Sequence, residues 1–198
     1  MLKKLSLITL IMMVTLAVGG GLAFAQESTT HLDFKGIPID GNLEAYTSQL
    51  NQLGFTTTKV TDDAAMMKGS FAGEEVEVAV YTTSQSKTVY MVVVAFPEQT
   101  SWYSIKADFK KLENNLQVKY GKPTLQRKSF SSPYYEGDGY EMTAIKVDKC
   151  NYYTRFTTAT GELTLLILKS RQIGLYYSDK INDAKNDREK NASIYEDL

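Results

Sequence analysis

Residues 100–123, TSWYSIKADFKKLENNLQVKYGKP, carry the clearest helical pattern in the chain. Large apolar residues recur in this stretch at steps of three and four, which predicts an α-helix with one apolar face. These residues are Trp102, Ile105, Phe109, Leu112 and Leu116. The opposite, solvated face is predicted to carry Lys106, Lys110, Lys111, Glu113 and Asn114.

Both ends of this helix are also indicated by the sequence. Thr100 and Ser101 are candidate N-caps, because a side-chain hydroxyl can accept a free backbone N–H of the first turn. Gly121 suits the left-handed position that follows a last turn, and Pro123 prevents the helix from continuing. The helix therefore separates the chain into two halves.

The first half is predicted to be a helix followed by strands. Asp40 is the predicted N-cap of a helix over residues 41–53, and Gly54 is predicted to end it. The apolar stripe of this helix consists of Leu43, Tyr46, Leu50 and Leu53. Strands are predicted at residues 55–60, 64–71, 74–81 and 87–96, where alternating or continuous apolar runs are separated by turn sequences. Ahead of the helix, residues 26–38 are predicted to be a polar lead-in and a short strand.

The second half repeats this order after the central helix. Strands are predicted at residues 125–130, 140–148, 152–159 and 162–169, with a further short strand at 173–177. Residues 131–139, SSPYYEGDG, are predicted to form a loop because Ser, Pro, Gly and Asp favour turns. Residues 179–198 are predicted to be a polar tail, either solvated and partly helical or disordered.

A helix and four strands are thus predicted twice, at residues 39–97 and 100–178. Strands joined by short turns are antiparallel, and a single amphipathic helix can cover only one face of a sheet. The predicted fold class is α+β. We expect two tandem helix-plus-four-strand units, with the helices packed on one face of a curved antiparallel sheet.

The first 25 residues have the pattern of a secretory signal peptide. Lys3 and Lys4 precede an almost wholly apolar run over residues 5–18, and Ala23-Phe24-Ala25 is a small-x-small cleavage sequence. The sequence therefore predicts cleavage after Ala25 and a secreted or periplasmic protein beginning at Gln26. No membrane association is expected after cleavage.

The composition of the mature chain disfavours several functions. Without the two signal-peptide lysines, 20 basic residues stand against 23 acidic ones, so no electrostatic attraction to nucleic acid is expected. Cys150 is the only cysteine and is interpreted as a small buried apolar residue. His31 is the only histidine and lies near the mature N-terminus, so neither a nucleophile–base pair nor a metal site is predicted. No cofactor is expected.

The string FKGIPIDG at residues 34–41, followed by a helix that ends Leu53-Gly54-Phe55, resembles a group of uncharacterised exported bacterial proteins. The tandem layout of those proteins is similar to the fold of the β-lactamase inhibitor protein. The resemblance implies two units that form one curved sheet, with their helices on the convex side. It implies no catalytic residue.

Aromatic residues give the strongest indication of function. The chain has 13 tyrosines, and Tyr134, Tyr135 and Tyr140 frame its longest loop. Tyr153 and Arg155 alternate with Tyr152, Thr154 and Phe156, which places the two sets on opposite faces of a strand. Tyrosine and arginine are enriched at protein interfaces, because they bury large areas. An alternative is that the strand tyrosines only cover the core.

The sequence therefore predicts an exported, non-enzymatic binding module that contacts a protein or a cell-envelope component through its sheet face and tyrosine loop. One alternative is an envelope glycan hydrolase, which would use paired carboxylates such as Glu75, Glu77 or Glu136. The other is a carrier of small ligands, which would need an apolar cavity between helices and sheet. The oligomeric state is left open.

Overall fold

The computed structural model describes residues 31–196. The predicted signal peptide, residues 1–25, and the polar residues 26–30 lie outside this range. The helices in the described range are α1 (Leu43–Gln52), α2 (Trp102–Tyr120), α3 (Glu141–Lys146) and α4 (Lys180–Glu196). A two-stranded hairpin, β1 (Asp33–Phe34) and β2 (Ile37–Pro38), precedes α1.

The other strands form one eight-stranded antiparallel sheet. In chain order they are β3 (Thr56–Val60), β4 (Ala64–Phe71), β5 (Glu74–Thr82), β6 (Val89–Ala95), β7 (Leu125–Phe130), β8 (Cys150–Thr157), β9 (Gly161–Ile167) and β10 (Ile173–Asp179). Their order across the sheet is β3-β4-β5-β6-β10-β9-β8-β7. The first four strands follow α1, the last four follow α2, and the two sets meet where β6 pairs with β10. The predicted α+β class with an antiparallel sheet is confirmed.

The predicted ends of α2 are confirmed, whereas the predicted cap of α1 is wrong by two residues. Ser101 is the N-cap of α2, since its Oγ accepts the backbone N–H of Ser104 at 3.1 Å, and Gly121 ends the helix with φ +83°. For α1, the Oδ1 of Asn42 accepts the backbone N–H of Ala45 at 2.8 Å. Asp40 is used elsewhere, in contacts with the C-terminal helix.

α1 and α2 pack on the same face of the sheet and share its core. Tyr46 and Leu50 of α1 and Phe109 of α2 are no more than 1% exposed and belong to one apolar cluster. The sheet contributes alternate residues of its strands, as the period-two patterns predicted. Those from the central strands are Val76, Val78, Val80, Val92, Val94, Leu163, Leu165, Leu175 and Tyr177.

Glu113, predicted to be solvated, is instead buried at 4% exposure. Its carboxylate accepts hydrogen bonds from Lys128 Nζ at 2.7 Å, Gln126 Nε2 at 2.9 Å and Thr154 Oγ1 at 2.5 Å. Burial raises the pKa of Glu113, but these donors outweigh burial and hold the pKa below its ordinary value. Position 113 lies four residues after Phe109, so helical spacing places it on the sheet-facing side.

The predicted strand at residues 140–148 is wrong, because most of this segment forms α3. Glu141, Ala144 and Ile145 of α3 are buried, at the spacing of three and four that one helical face requires. The Glu141 carboxylate also accepts the backbone N–H of Gly137 at 2.7 Å, just ahead of the helix. β7 pairs directly with β8. The four strands of the second half are therefore β7, β8, β9 and β10, and residues 140–148 contribute none.

The C-terminal polar segment forms α4, which packs against β6, β9 and β10. Asp179 is fully buried at its start and accepts the backbone N–H groups of Ile181 and Asn182 at 3.1 and 2.9 Å. The Asn182 Nδ2 lies within 2.9–3.2 Å of the Ile39 carbonyl, an Asp40 oxygen and the Val89 carbonyl. Polar contacts therefore attach the helix to the sheet and to the segment ahead of α1.

The loop between β5 and β6 holds the middle of α4. Glu189 accepts the backbone N–H groups of Gln85 and Ser86 at 2.7 and 3.2 Å, and Lys185 Nζ donates to Thr88 Oγ1 at 2.8 Å. Asn186, 2% exposed, hydrogen bonds to Tyr90. None of the described helices combines the length and apolar character needed to cross a membrane.

Candidate binding surface

The face of the sheet away from α1 and α2 carries the remaining alternate residues of each strand, and we call it the open face. The strand pairings align these residues in rows across the sheet. The middle row is Met66, Ala79, Val93, Tyr176, Thr164, Arg155 and Leu125. The row beside it toward α4 is Ala64, Tyr81, Met91, Ser178, Glu162 and Thr157. The row on the other side is Lys68, Glu77, Ala95, Gly174, Leu166, Tyr153 and Arg127.

Four tyrosines give this face its chemical character. Tyr81, Tyr90, Tyr153 and Tyr176 are each half-buried, although α1 and α2 lie on the other side of the sheet. Tyr90 is the extra residue at a bulge between β5 and β6 and lies beside Tyr81 and α4. Their rings offer apolar surface with a hydroxyl at the tip, a combination suited to a partly wet contact.

Tyr176 lies along its own strand above Gly174. A Cβ atom at Gly174 would come within 3.0 Å of the Tyr176 Cε2 and 3.1 Å of the Leu168 Cδ1. The absence of a side chain at Gly174 therefore lets the ring rest on the backbone. Burial raises the pKa of Tyr176, so its hydroxyl stays protonated and can donate a hydrogen bond.

Arg155, predicted as a binding residue, lies on the open face next to a carboxylate. Its Nε is 2.9 Å from a Glu162 oxygen, which is ion-pair distance, although the N–H direction is not aligned for a hydrogen bond. The pair is partly exposed, at 41% and 35% of the two side chains. Exposed pairs of this kind contribute little to stability, so the guanidinium can exchange its partner at small cost.

Each end of the open face borders a cleft. At one end, a cleft of about 320 Å³ separates α4 from the sheet and is lined by Glu162, Ser178 and Asp183. At the other end, a cleft of about 300 Å³ is lined by Glu75 and Glu77. Glu77 forms an ion pair of 3.3 Å with Lys68, and both side chains are more than 60% exposed. The apolar and aromatic centre of the face therefore has polar borders.

The tyrosine loop is anchored on the other side of the sheet. Glu136 in this loop pairs with Lys106 of α2 and accepts the Tyr152 hydroxyl at 3.1 Å. Tyr152 faces the helices, whereas its neighbour Tyr153 faces away from them. Lys106 holds the pKa of Glu136 below its ordinary value, which favours the charged form of this anchor.

The five predicted binding residues therefore fall into two groups. Tyr153 and Arg155 lie on the open face, whereas Tyr134, Tyr135 and Tyr140 belong to the loop anchored on the helix side. Tyr135 and Tyr140 are 66% and 64% exposed. The sequence interpretation missed Tyr81, Tyr90 and Tyr176. The signal for Tyr81 and Tyr176 was their alternation with the buried residues Val80, Leu175 and Tyr177.

The predicted paired carboxylates are also separated. Glu75 and Glu77 belong to β5, whereas Glu136 contacts β8, four strands away in the sheet. At about 4.8 Å per strand this is roughly 19 Å, beyond the separation of about 5–9.5 Å that glycoside hydrolysis requires. Glu75 and Glu77 share one face of β5, in an open cleft. Glu136 cannot serve as the partner of either.

His31 and Cys150 have structural surroundings. The His31 Nδ1 lies 3.1 Å from an oxygen of the buried Asp179, and its Nε2 lies 3.7 Å from Asp40. Burial raises the pKa of the Cys150 thiol to about 12, so the thiolate that reactive cysteines need is scarce at neutral pH. Within residues 31–196, no group of three or more His, Cys, Asp or Glu residues is arranged to hold a metal ion.

Comparison with known proteins gives no further assignment. No protein-family model matches the chain, and no curated protein or solved structure matches it at a significant level.

Proposed function

We propose that this chain is an exported, non-enzymatic binding module that contacts a protein partner through the open face of its sheet. The observation that carries the proposal is that four half-buried tyrosines and Arg155 share a face that α1 and α2 do not cover, with Tyr90 lying against α4 at one border of that face. Tyrosine and arginine are the residue types that most often dominate binding energy at protein interfaces. The border charges of Lys68, Glu77 and Glu162 would form a polar rim around this centre.

We also propose that the fold consists of two tandem units. The strand order supports two tandem units of one helix and four strands, joined through β6 and β10. This arrangement is the one that the resemblance to exported proteins with an inhibitor-like fold implies. In such a design, both units contribute to a single continuous surface, since the open face crosses the β6–β10 junction without interruption.

The test asks whether the partner binds the tyrosines of the open face or those of the tyrosine loop. The mature chain from Gln26, immobilised on beads, would be incubated with an envelope extract of the producing bacterium, and captured proteins would be identified by mass spectrometry. The partner would then be purified and its Kd measured for two double variants. One variant is Tyr81→Ala with Tyr176→Ala on the open face, and the other is Tyr134→Ala with Tyr135→Ala in the loop.

We expect the open-face variant to weaken binding about 100-fold, because truncating an aromatic hot-spot residue typically costs 1–2 kcal/mol or more. The loop variant should change Kd by less than about threefold. Thermal unfolding of both variants would check that each is folded. A large loss confined to the loop variant would move the surface to the helix side and contradict the proposal.

A further inference from the structure

A groove runs along α2 on the helix-covered side of the sheet. It consists of two clefts of about 310 and 90 Å³, which share the lining residues Ala72, Leu112 and Asn115. α1 packs over β3, β4 and β5, whereas α2 packs over β9. The β1–β2 hairpin packs between them, with the Phe34 ring 5.3 Å, centre to centre, from that of Tyr177 in β10. The larger cleft lies between this hairpin segment and α2.

The floor of the groove is apolar. In the larger cleft it is formed by Phe71, Leu116, Leu175 and Tyr177, and in the smaller cleft by Phe96 and Ile173. The strand residues of this floor belong to the main apolar cluster or pack against it. Apart from Phe71, the floor residues are no more than 7% exposed, so an occupant of the groove would contact the exposed edges of side chains that the core holds in place. The combined size lies within the range of sites for small ligands.

The two ends of the groove differ in charge. The end in the larger cleft carries Lys35 and Lys119 against one acid, Asp33. The opposite end carries one base, Lys111, against Glu74 and Asp108. An elongated ligand with a single negative charge would therefore be oriented with its charge toward Lys35 and Lys119.

Both lysines at the positive end make weak contacts with neutral groups. Lys119 donates to Tyr120 and its Nζ lies 4.9 Å from the centre of that ring, while Asp33 adds a smaller electrostatic attraction. The Lys35 Nζ is 3.4 Å from the Ser70 carbonyl oxygen and 5.3 Å from the Phe55 ring. A carboxylate arriving at this end would gain charge-assisted hydrogen bonds without breaking a close ion pair.

We propose that the groove binds a fatty acid of the length of dodecanoate, with the alkyl chain along α2 and the carboxylate at Lys119 and Lys35. The groove follows α2 from Asp108 to Lys119. At 1.5 Å per residue this is roughly 16 Å, which suits an extended alkyl chain better than a compact ring system. The site lies on the opposite side of the sheet from the open face, so the two proposals stand or fall separately.

Titration calorimetry with dodecanoate below its micelle concentration tests the site. Asn115→Trp would place a bulky ring in the groove from an exposed helix position, and should weaken dodecanoate binding at least tenfold. Asn114→Trp is the matched control, since Asn114 is also exposed on α2 but does not line the groove, and should bind like the native protein. Absence of saturable binding, or equal binding by both variants, would overturn the proposal.

The orientation of the ligand has its own test. Lys119→Gln should weaken dodecanoate binding about three- to tenfold, whereas Lys110→Gln, outside the groove on the same helix, should not. Dodecyltrimethylammonium has a similar chain with a positive head and should bind more weakly than dodecanoate. Equal binding of the two amphiphiles would overturn the assignment of the carboxylate to the lysine end.

Discussion

α2 and α4 have similar lengths of 19 and 17 residues, but they are attached to the sheet by different chemistry. α2 buries the apolar residues Ile105, Phe109 and Leu116, with Glu113 as a buried exception. α4 instead docks through a stripe of polar side chains at the same steps of three and four. These are Asn182, Lys185, Asn186 and Glu189. Helical periodicity is thus present in both segments, but only α2 shows it in apolar residues.

The difference implies different energies and different responses to conditions. Apolar burial contributes in proportion to area and does not depend on pH. A hydrogen-bonded stripe contributes less net free energy, because water offers the same bonds in the unfolded chain. It also depends on the charge of the groups involved. We therefore expect α2 to respond mainly to loss of volume and α4 to loss of individual donors, acceptors and charges.

The largest effect is expected from Phe109→Ala. Phe109 is 1% exposed and its ring packs 5.7 Å, centre to centre, from that of Tyr152. Truncation should lower the free energy of unfolding by about 3–5 kcal/mol, through lost burial and the cavity left behind. Urea denaturation would measure this. Tyr103→Ala, at a position 84% exposed on the same helix, is the control, with an expected change below about 0.5 kcal/mol. Similar losses in both variants would mean that α2 is not held by its apolar stripe.

Asn182→Ala should have a smaller effect that is confined to α4. The variant loses the contacts of Nδ2 with two backbone carbonyls and with Asp40, at a cost of about 2 kcal/mol. Hydrogen exchange should show faster exchange of α4 amides with little change in α2. Asn191→Ala, at an exposed position of the same helix, should exchange like the native protein. Equal acceleration in α2 and α4 would contradict separate attachment.

The smallest effect is expected at Glu189 and should depend on pH. Burial raises the pKa of this carboxyl, but hydrogen bonds from Ser86, Gln85 and Thr83 lower it overall to about 2. Its folded-state pKa is therefore below the ordinary value of 4.5. The stabilisation is then complete above about pH 4.5 and is lost as the pH falls toward 2.

Glu189→Gln tests this pH dependence directly. At neutral pH the variant should lose about 1 kcal/mol, since the carboxylate is partly exposed and water offsets much of its bonding. The difference from the native protein should shrink between pH 4.5 and 2, as measured by urea denaturation at a series of pH values. Asp187→Asn is the control, because it removes one negative charge from an exposed position of the same helix. A difference that stays constant with pH would contradict the role of Glu189.

The elements that sequence reasoning predicted well are those with local signals. The apolar stripe of α2 and the caps at Ser101 and Gly121 lie within one short stretch, so no distant residue is needed to recognise them. α3 was mistaken for a strand because Thr143, Ile145 and Val147 are β-branched and six residues are too few to show a helical period clearly. Its helical state depends on Glu141, Ala144 and Ile145 being buried together, which only the tertiary structure provides.

The candidate surface was predicted in part for a related reason. Strand alternation correctly placed Tyr153 and Arg155 opposite Tyr152 and Thr154. The rows that bring Tyr176 beside Val93 depend on the pairing of β10 with β6, and strand pairing between distant segments leaves no mark in either segment alone. The tyrosine loop is held away from Tyr153 because Glu136 contacts Lys106 and Tyr152 on the helix side of the sheet. These contacts also join segments that are distant in sequence.

The position of β10 also has a consequence for the synthesis of the protein. Tyr176 pairs with Val93, 83 positions earlier, so the last strand of the described sheet lies in its middle. The sheet cannot be completed until β10 has been synthesised. A chain truncated before Ile173 would not simply lack an edge. Its strands would form one four-stranded sheet that ends at β6 and one three-stranded sheet that ends at β9, and both of these edges would be unprotected.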